Sequence, residues 1–360
     1  MKILFVNQHF LDVMGGSEIQ CHLLAAYLAR TEHEVVYFAV NGMQLQYDVP
    51  YPVEPGRLCW NDIHRIVKTY APDLVYWRFN KRRLLPSVLM FRLLGVRVVF
   101  AVSHINDVRK WSHKVRFDAI GRREKCIQRY KSLRPALSSR INHAGYHWVD
   151  GVVAQLKQQC GVLVAKKEII IPNSVDESYV PFHWEKPFVL WASSLKAVKN
   201  PELFITLAKR LKDKGIDFLM AGKTVNSHYE QLIKEAAVSD NFHYLGTKSY
   251  QELNGMLRKS LFLVHTCEPE GFPNVFIQAW SQQKPVVSAF YDPDNMIRKG
   301  GLGFCSGDVE QFVLDVERLI AKSDLRREMG SRAETFARET FSLERNGRKL
   351  SEFLHEIYQD

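Results

Sequence analysis

Short runs of β-branched and aliphatic residues alternate with longer stretches whose apolar positions recur every three or four residues. In the first half these runs predict strands over residues 3–7, 35–40, 74–77, 96–103, 151–156 and 168–172, with helices over 18–30 and 61–70. The pattern then restarts. Strands are expected over 188–192, 217–221, 242–246, 261–266 and 285–290, and a helix over 200–214 turns Leu203, Leu207 and Leu211 inward. Three more helices, roughly 309–322, 325–341 and 343–358, close the chain. Strands alternating with helices at this spacing make an α/β protein built on doubly wound parallel sheets. Ser17 with Gln20 three residues on has the pattern of a capping box and is expected to start the first helix.

A chain of 360 residues suits two domains of ordinary size, each with its own core. Asn173-Ser-Val-Asp176, followed by the irregular stretch 177–187, reads as the linker, so the domains are expected to meet near residue 176. The first residues, MKILFVNQHF, run straight into a strand and lack the pattern of a signal peptide. No apolar run approaches the ~20 residues of a membrane span. The six cysteines are scattered without a CxxC pair, which favours reduced thiols in a cytoplasmic protein over disulfides or zinc.

The most informative stretch is 261–289, LFLVHTCEPEGFPNVFIQAWSQQKPVVSA, read as strand, loop, helix and strand: a βαβ unit. Ligands of such sheets bind at the carboxyl ends of strands, and anions favour a helix N-terminus. Glu270 stands at that place, followed by Gly271, Phe272 and Pro273 and by the free amides of Asn274 and Val275 as the helix begins. A carboxylate repels phosphate but accepts hydrogen bonds from hydroxyls. The combination points to a sugar attached to a phosphate, that is, a sugar nucleotide. A purely structural turn with Glu270 as a solvated cap is the alternative.

Glu270-Gly-Phe-Pro-Asn, eight residues ahead of Gln278, resembles the signature of family-4 retaining glycosyltransferases. That resemblance implies the GT-B fold, two Rossmann-like doubly wound domains facing a central cleft. The first would be 1–176 and take the acceptor; the second, 177–342, would hold the donor. The last helix, 343–360, would return to the first domain. The family has a second glutamate where this chain has Gln278. An amide oxygen still accepts from a ribose hydroxyl, but without charge.

The resemblance extends to GGSEIQCHLLAAYLARTEHEVVYF, like the family's first loop and helix, in which Gly15 and Gly16 would face the donor phosphate. It extends also to the loop Ser193-Ser-Leu-Lys-Ala-Val-Lys199, where Lys196 and Lys199 would neutralise a diphosphate leaving group. The family's arginine there falls on Ser194, so Lys196 is the candidate replacement; a lysine is a point charge and fixes phosphate geometry less strictly. Contacts to the base are expected from the backbone around Leu245. His104, after a first-domain strand, is placed to touch the sugar or its departing phosphate, or else is a loop residue paired with Asp107. Glu270, His104 and Lys199 are thus the catalytic candidates.

Asp292-Pro-Asp294 imitates a metal-binding DxD but suits a turn, and no ligand spacing for zinc exists, so no metal and no cofactor are expected. Between Arg78 and Arg140, seventeen Lys/Arg face three acids, more than accounting for the chain's +10. Arg78 and Lys81-Arg82-Arg83 interleaved with apolar residues from Trp77 to Leu94 read as a cationic face for an anionic membrane surface, or as core with solvated charges. Nucleic acid ranks low, for no binding motif accompanies the charge. The expected activity is transfer of a hexose from a nucleoside diphosphate sugar to a glycan or lipid-linked acceptor in cell-surface polysaccharide synthesis, in the cytoplasm or at the inner membrane face. A non-catalytic nucleotide- or membrane-binding GT-B protein and a sugar-nucleotide epimerase are the alternatives.

Overall fold

The computed structural model describes residues 1–13, 15–81, 83–108, 137–163, 165–267 and 271–360. The chain divides into two compact units, Met1–Ser174 with Leu343–Asp360, and Val175–Ser342.

The first unit is a seven-stranded parallel sheet: β1 (Lys2–Asn7), β2 (Glu34–Val40), β3 (Val53–Gly56), β4 (Leu74–Trp77), β5 (Arg97–Ala101), β6 (Gly151–Ala154) and β7 (Lys167–Ile170), in the order β3-β2-β1-β4-β5-β6-β7. The second is a six-stranded parallel sheet of β8 (Phe188–Ala192), β9 (Asp217–Ala221), β10 (Phe242–Tyr244), β11 (Leu263–His265), β12 (Val286–Ser288) and β13 (Gly303–Cys305), in the order β10-β9-β8-β11-β12-β13. Both sheets grow outward from their first strand and reverse beside it. The switch points, β1/β4 and β8/β11, are where ligands of such sheets collect. β3 and β13 were not legible as strands: VEPG holds a proline and sits at an edge, and GFC is three residues long.

Alternate residues of the first sheet feed two cores. Leu4, Val6, Phe38, Trp77 and Phe100 face one side, while Ile3, Phe5, Tyr37, Tyr76 and Val99 face the other. The Leu343–Gln359 helix closes the second of these with Leu350, Phe353, Leu354 and Ile357, the i, i+3, i+4, i+7 stripe of one helical face. It packs so closely that a Cβ on Gly151 would stand 3.0 Å from both Phe353 and Ile357.

Of the two readings of the Leu84–Leu93 helix and the strand before it, burial in the core accounts for most of the apolar residues and for two of the cations. Trp77, Leu84, Val88 and Phe91 are wholly buried in the core, and Arg78 and Lys81 are buried with them. Hydrophobic burial claimed these residues because the helix covers the sheet. Arg82 and residues 109–136 of the basic region lie outside the described residues. No helix among the described residues is long and apolar enough to cross a membrane.

Nor does Ser17 cap the first helix. The helix is Gly16–Ala29 and its cap is Gly15, which has no side chain to bond there. Gln20, buried, instead donates from Nε2 to the Ser174 carbonyl (2.6 Å) and accepts from the Ser174 amide at Oε1 (2.6 Å). A tertiary partner thus outcompetes the local cap, and ties the helix to the chain where the first unit ends. Gln20→Leu leaves two buried main-chain groups unpaired and is expected to cost about 2–5 kcal/mol of stability. Urea unfolding followed by circular dichroism measures this.

Candidate functional site

The carboxyl ends of the second sheet are joined by their own main chain. After β8, Ser193 N donates to Ala221 O (3.1 Å) and Leu195 N to Lys223 O (2.9 Å). Gly222, after β9, makes this approach possible: φ is +150°, and a Cβ would lie 1.7 Å from the Ser193 carbonyl oxygen. Gly222 N in turn donates to Gly246 O (2.8 Å), Leu245 N to Met220 O (2.9 Å) and Tyr244 Oη to Gly222 O (2.6 Å). Leu245 is thereby held at the same rim as Ser193.

From the other side of the switch point, β11 grips the lysine loop. The Thr266 hydroxyl accepts from Trp191 Nε1 (2.9 Å) and donates to Lys199 O (2.7 Å), and the Cys267 thiol donates to Val198 O (3.1 Å). Leu195 is fully buried as the loop's apolar anchor, whereas Lys196 is exposed and Lys199 half-buried in a single 3-10 turn, Ala197–Lys199. The backbone of the loop is fixed, and it carries two lysines.

Glu270 lies outside the described residues, with Glu268 and Pro269. The chain resumes at Gly271, whose carbonyl accepts from Tyr291 Oη (3.1 Å). Phe272 is buried against Phe341, ring centroids 5.5 Å apart, so its side chain packs and only its backbone is left for a ligand. Pro273 is the cap of the Asn274–Ser281 helix, one residue before the helical position expected for it, and its own side chain makes no cap hydrogen bond. Asn274 and Val275 open the helix at the sheet's carboxyl edge.

Gln278 is buried one turn further on. Its Nε2 donates to Asn254 Oδ1 (2.9 Å) and lies 3.4 Å from Tyr250 O. Beneath the same helix sits His265, whose Nδ1 is 3.2 Å from Ser288 Oγ and whose ring meets Phe276 edge-on. Ser288 Oγ donates its single proton to Tyr291 O (2.7 Å), so the imidazole donates to it from Nδ1. Burial holds its pKa down to about 3, with the Lys199 charge acting in the same direction.

In the first unit, Gly15 is extended and the carboxylate of Glu18 folds back over it; a Cβ on Gly15 would meet Glu18 Oε2 at 2.2 Å. Burial raises the Glu18 pKa against the pull of Arg78. Arg78 is itself buried and donates from Nη2 to Asn173 Oδ1 (2.6 Å). The amides around Gly15 and Gly16 therefore already have a carboxyl group beside them. His104 follows β5, and Asp107 accepts from the amides of Ser103 (3.0 Å) and His104 (2.8 Å) and from Ser103 Oγ (2.9 Å). Asp107 caps a turn of helix, Ile105–Val108.

Asp292 accepts from the amides of Ile297 (2.8 Å) and Arg298 (3.2 Å), so the DxD look-alike caps the Met296–Gly300 helix. Among the described residues no group of three His, Cys, Asp or Glu could hold a metal ion. The positions missed from sequence are Gly222, Thr266, Cys267 and Asn254. Only Gly222 carried a local signal, a glycine directly after a strand.

Two parallel sheets of this order, with a lysine-bearing loop and a helix start at the second switch point, define an α/β protein with the GT-B fold. Residues 180–336, nearly all of the second unit, match the family Glycosyl transferases group 1. The whole chain superposes on sucrose-phosphate synthase from Thermosynechococcus elongatus with a TM-score of 0.75 at 14% identity, covering 100% of this chain and 99% of that one. A mutant of S. aureus TarM, solved in complex with fondaparinux, alpha-GlcNAc-glycerol and UDP, superposes with a TM-score of 0.64 at 17% identity over 84% of this chain and 59% of TarM. An uncharacterized glycosyltransferase of Methanocaldococcus jannaschii is 24% identical over 207 residues, 53% of this chain; the chain spans about half, 54%, of that relative's length.

Thr266→Val keeps the shape but strands the Trp191 indole N–H and the Lys199 carbonyl. It should cost about 1–3 kcal/mol and loosen the lysine loop, read by chemical unfolding. His265 is neutral when folded, so its contribution is complete above the unfolded pKa of 6.5 and drains away as pH falls toward about 3. His265→Gln should flatten the fall of melting temperature between pH 6.5 and 4, measured by calorimetry.

Proposed function

We propose that this chain is a retaining glycosyltransferase that moves a hexose from a nucleoside diphosphate sugar to a glycan or lipid-linked acceptor, as in cell-surface polysaccharide synthesis. The observation that carries the reading is the lysine loop pinned through Thr266 at the carboxyl end of the sheet, inside the region that matches group 1 glycosyltransferases. TarM, in which UDP was observed, supports the choice of a nucleotide donor.

In this reading the donor lies on the second unit. Lys196, Lys199 and the amides at Asn274 and Val275 stabilise charge on the diphosphate as the glycosidic bond breaks, and Ser193 and Gly271 supply close backbone. Leu245 borders the base and Gln278 accepts from the ribose. Glu270 bonds the sugar hydroxyls, and His104 and the Gly15–Gly16 turn are the candidate ligand contacts of the first unit. Attack comes from the face the phosphate leaves, and the leaving phosphate takes the acceptor proton. The protein supplies position and electrostatics, with no metal and no obligatory protein base. For a lipid-linked acceptor, the side chains that suit a bilayer surface are the exposed Leu93 and Trp148, with Arg92 6.0 Å from the indole centroid.

A thermal-shift panel of nucleoside diphosphate sugars tests the reading, since a ligand at a hundredfold excess over Kd stabilises by about 2.7 kcal/mol. One donor class should raise the melting temperature. Its turnover should persist in EDTA and fall at least a hundredfold in Glu270→Ala. Epimerised donor without acceptor would indicate the epimerase, and trace turnover unchanged in Glu270→Ala would indicate a binding protein.

A further inference from the structure

We infer that Asn254 is a positioning residue that turns the Gln278 amide into the site's neutral hydroxyl acceptor, and that a carboxylate cannot serve at position 278 in this chain. The inference rests on the donor reading above, but its structural half can be decided separately.

Asn254 is completely buried on the Tyr250–Lys259 helix. Its Nδ2 donates to Asp176 O (2.9 Å) and Ser178 O (2.7 Å), which uses both amide protons. The side chain cannot turn over, because either carbonyl would then face an oxygen. The strand of chain it holds is immobile for a second reason: Val180 N donates to Gln251 O (3.0 Å), and a Cβ on the neighbouring Gly255 would stand 1.8 Å from Val180 O. Asn254 Oδ1 is therefore a fixed acceptor.

Only a donor can face it, and Gln278 Nε2 does so at 2.9 Å. The second Nε2 proton is directed to Tyr250 O, 3.4 Å away. With both protons spent inward, Gln278 Oε1 is turned the other way, and no donor among the described residues meets it. A lone pair is thus held out from a buried, rigid amide, one turn into the helix whose start borders the diphosphate seat. Its chemistry fits a hydroxyl donor, such as the ribose of a nucleotide.

A glutamate at 278 would set a carboxylate oxygen against Asn254 Oδ1, two acceptors with no proton between them. The cost is full when the carboxylate is ionised and vanishes when it is protonated, since the acid can then donate as the amide does. The glutamine is accordingly built into this network and is not a weakened glutamate.

The test compares wild type, Gln278→Glu and Gln278→Met in the full chain, by melting temperature from pH 8 to 5 and by calorimetric titration with UDP and with GDP. At pH 8 Gln278→Glu should melt several degrees below wild type and bind the preferred nucleotide at least fivefold more weakly. On acidification it should regain most of the difference. Gln278→Met should lose affinity with a smaller fall in melting temperature and no recovery in acid. A Gln278→Glu chain that melts like wild type at pH 8, or binds nucleotide more tightly, overturns the inference. If wild type binds neither nucleotide while Gln278→Glu still shows the acid-reversible loss, the donor reading fails and the amide lock stands.

Discussion

The second unit depends on a main-chain contact that a single methyl group would forbid. Gly222 lets the loop after β9 lie against the carbonyl of Ser193, and the seam continues through Leu195 on one side and Gly246 on the other. Lysine side chains carry large rotamer entropy, so two of them on a free loop would localise charge poorly. Here the backbone beneath Lys196 and Lys199 is held by its own hydrogen bonds, which in the proposed function lowers the cost of gathering cations around a diphosphate.

The site combines this cationic edge with neutral, fixed dipoles. Thr266 holds the lysine loop by one hydroxyl used twice, and His265 below it is kept uncharged by burial. Gln278 is oriented through Asn254. Preorganised dipoles of this kind need not reorganise as charge develops, which is how electrostatic stabilisation of a leaving group acts. In the first unit the balance differs, since Glu18 already covers the helix start at Gly15 and Arg78 lies buried close to it.

Periodicity revealed the long elements because their apolar residues are buried by the sheet they cover: β1, β2, β8 and the Leu343–Gln359 helix all read directly. It failed where tertiary partners override local preference. Gln20 looked like half of a capping box, yet its amide serves Ser174, 154 positions away. The run from Trp77 to Leu94 looked amphipathic and cationic, yet Arg78 and Lys81 went inside. The lysine loop and the helix at 274 were legible as motifs. Thr266 and Asn254 were not, because a lone threonine or asparagine carries no sign of which distant carbonyl it will bond.

The central claim is that the second unit recognises a pyrophosphate through Lys196 and Lys199. Calorimetric titration of UDP, GDP and the parent nucleosides into wild type and into Lys196→Ala/Lys199→Ala tests it most directly. Wild type should prefer one diphosphate over its nucleoside by at least tenfold, salt should narrow this preference, and the double variant should lose it while keeping its melting temperature. Equal affinity of both proteins for the diphosphate would contradict it.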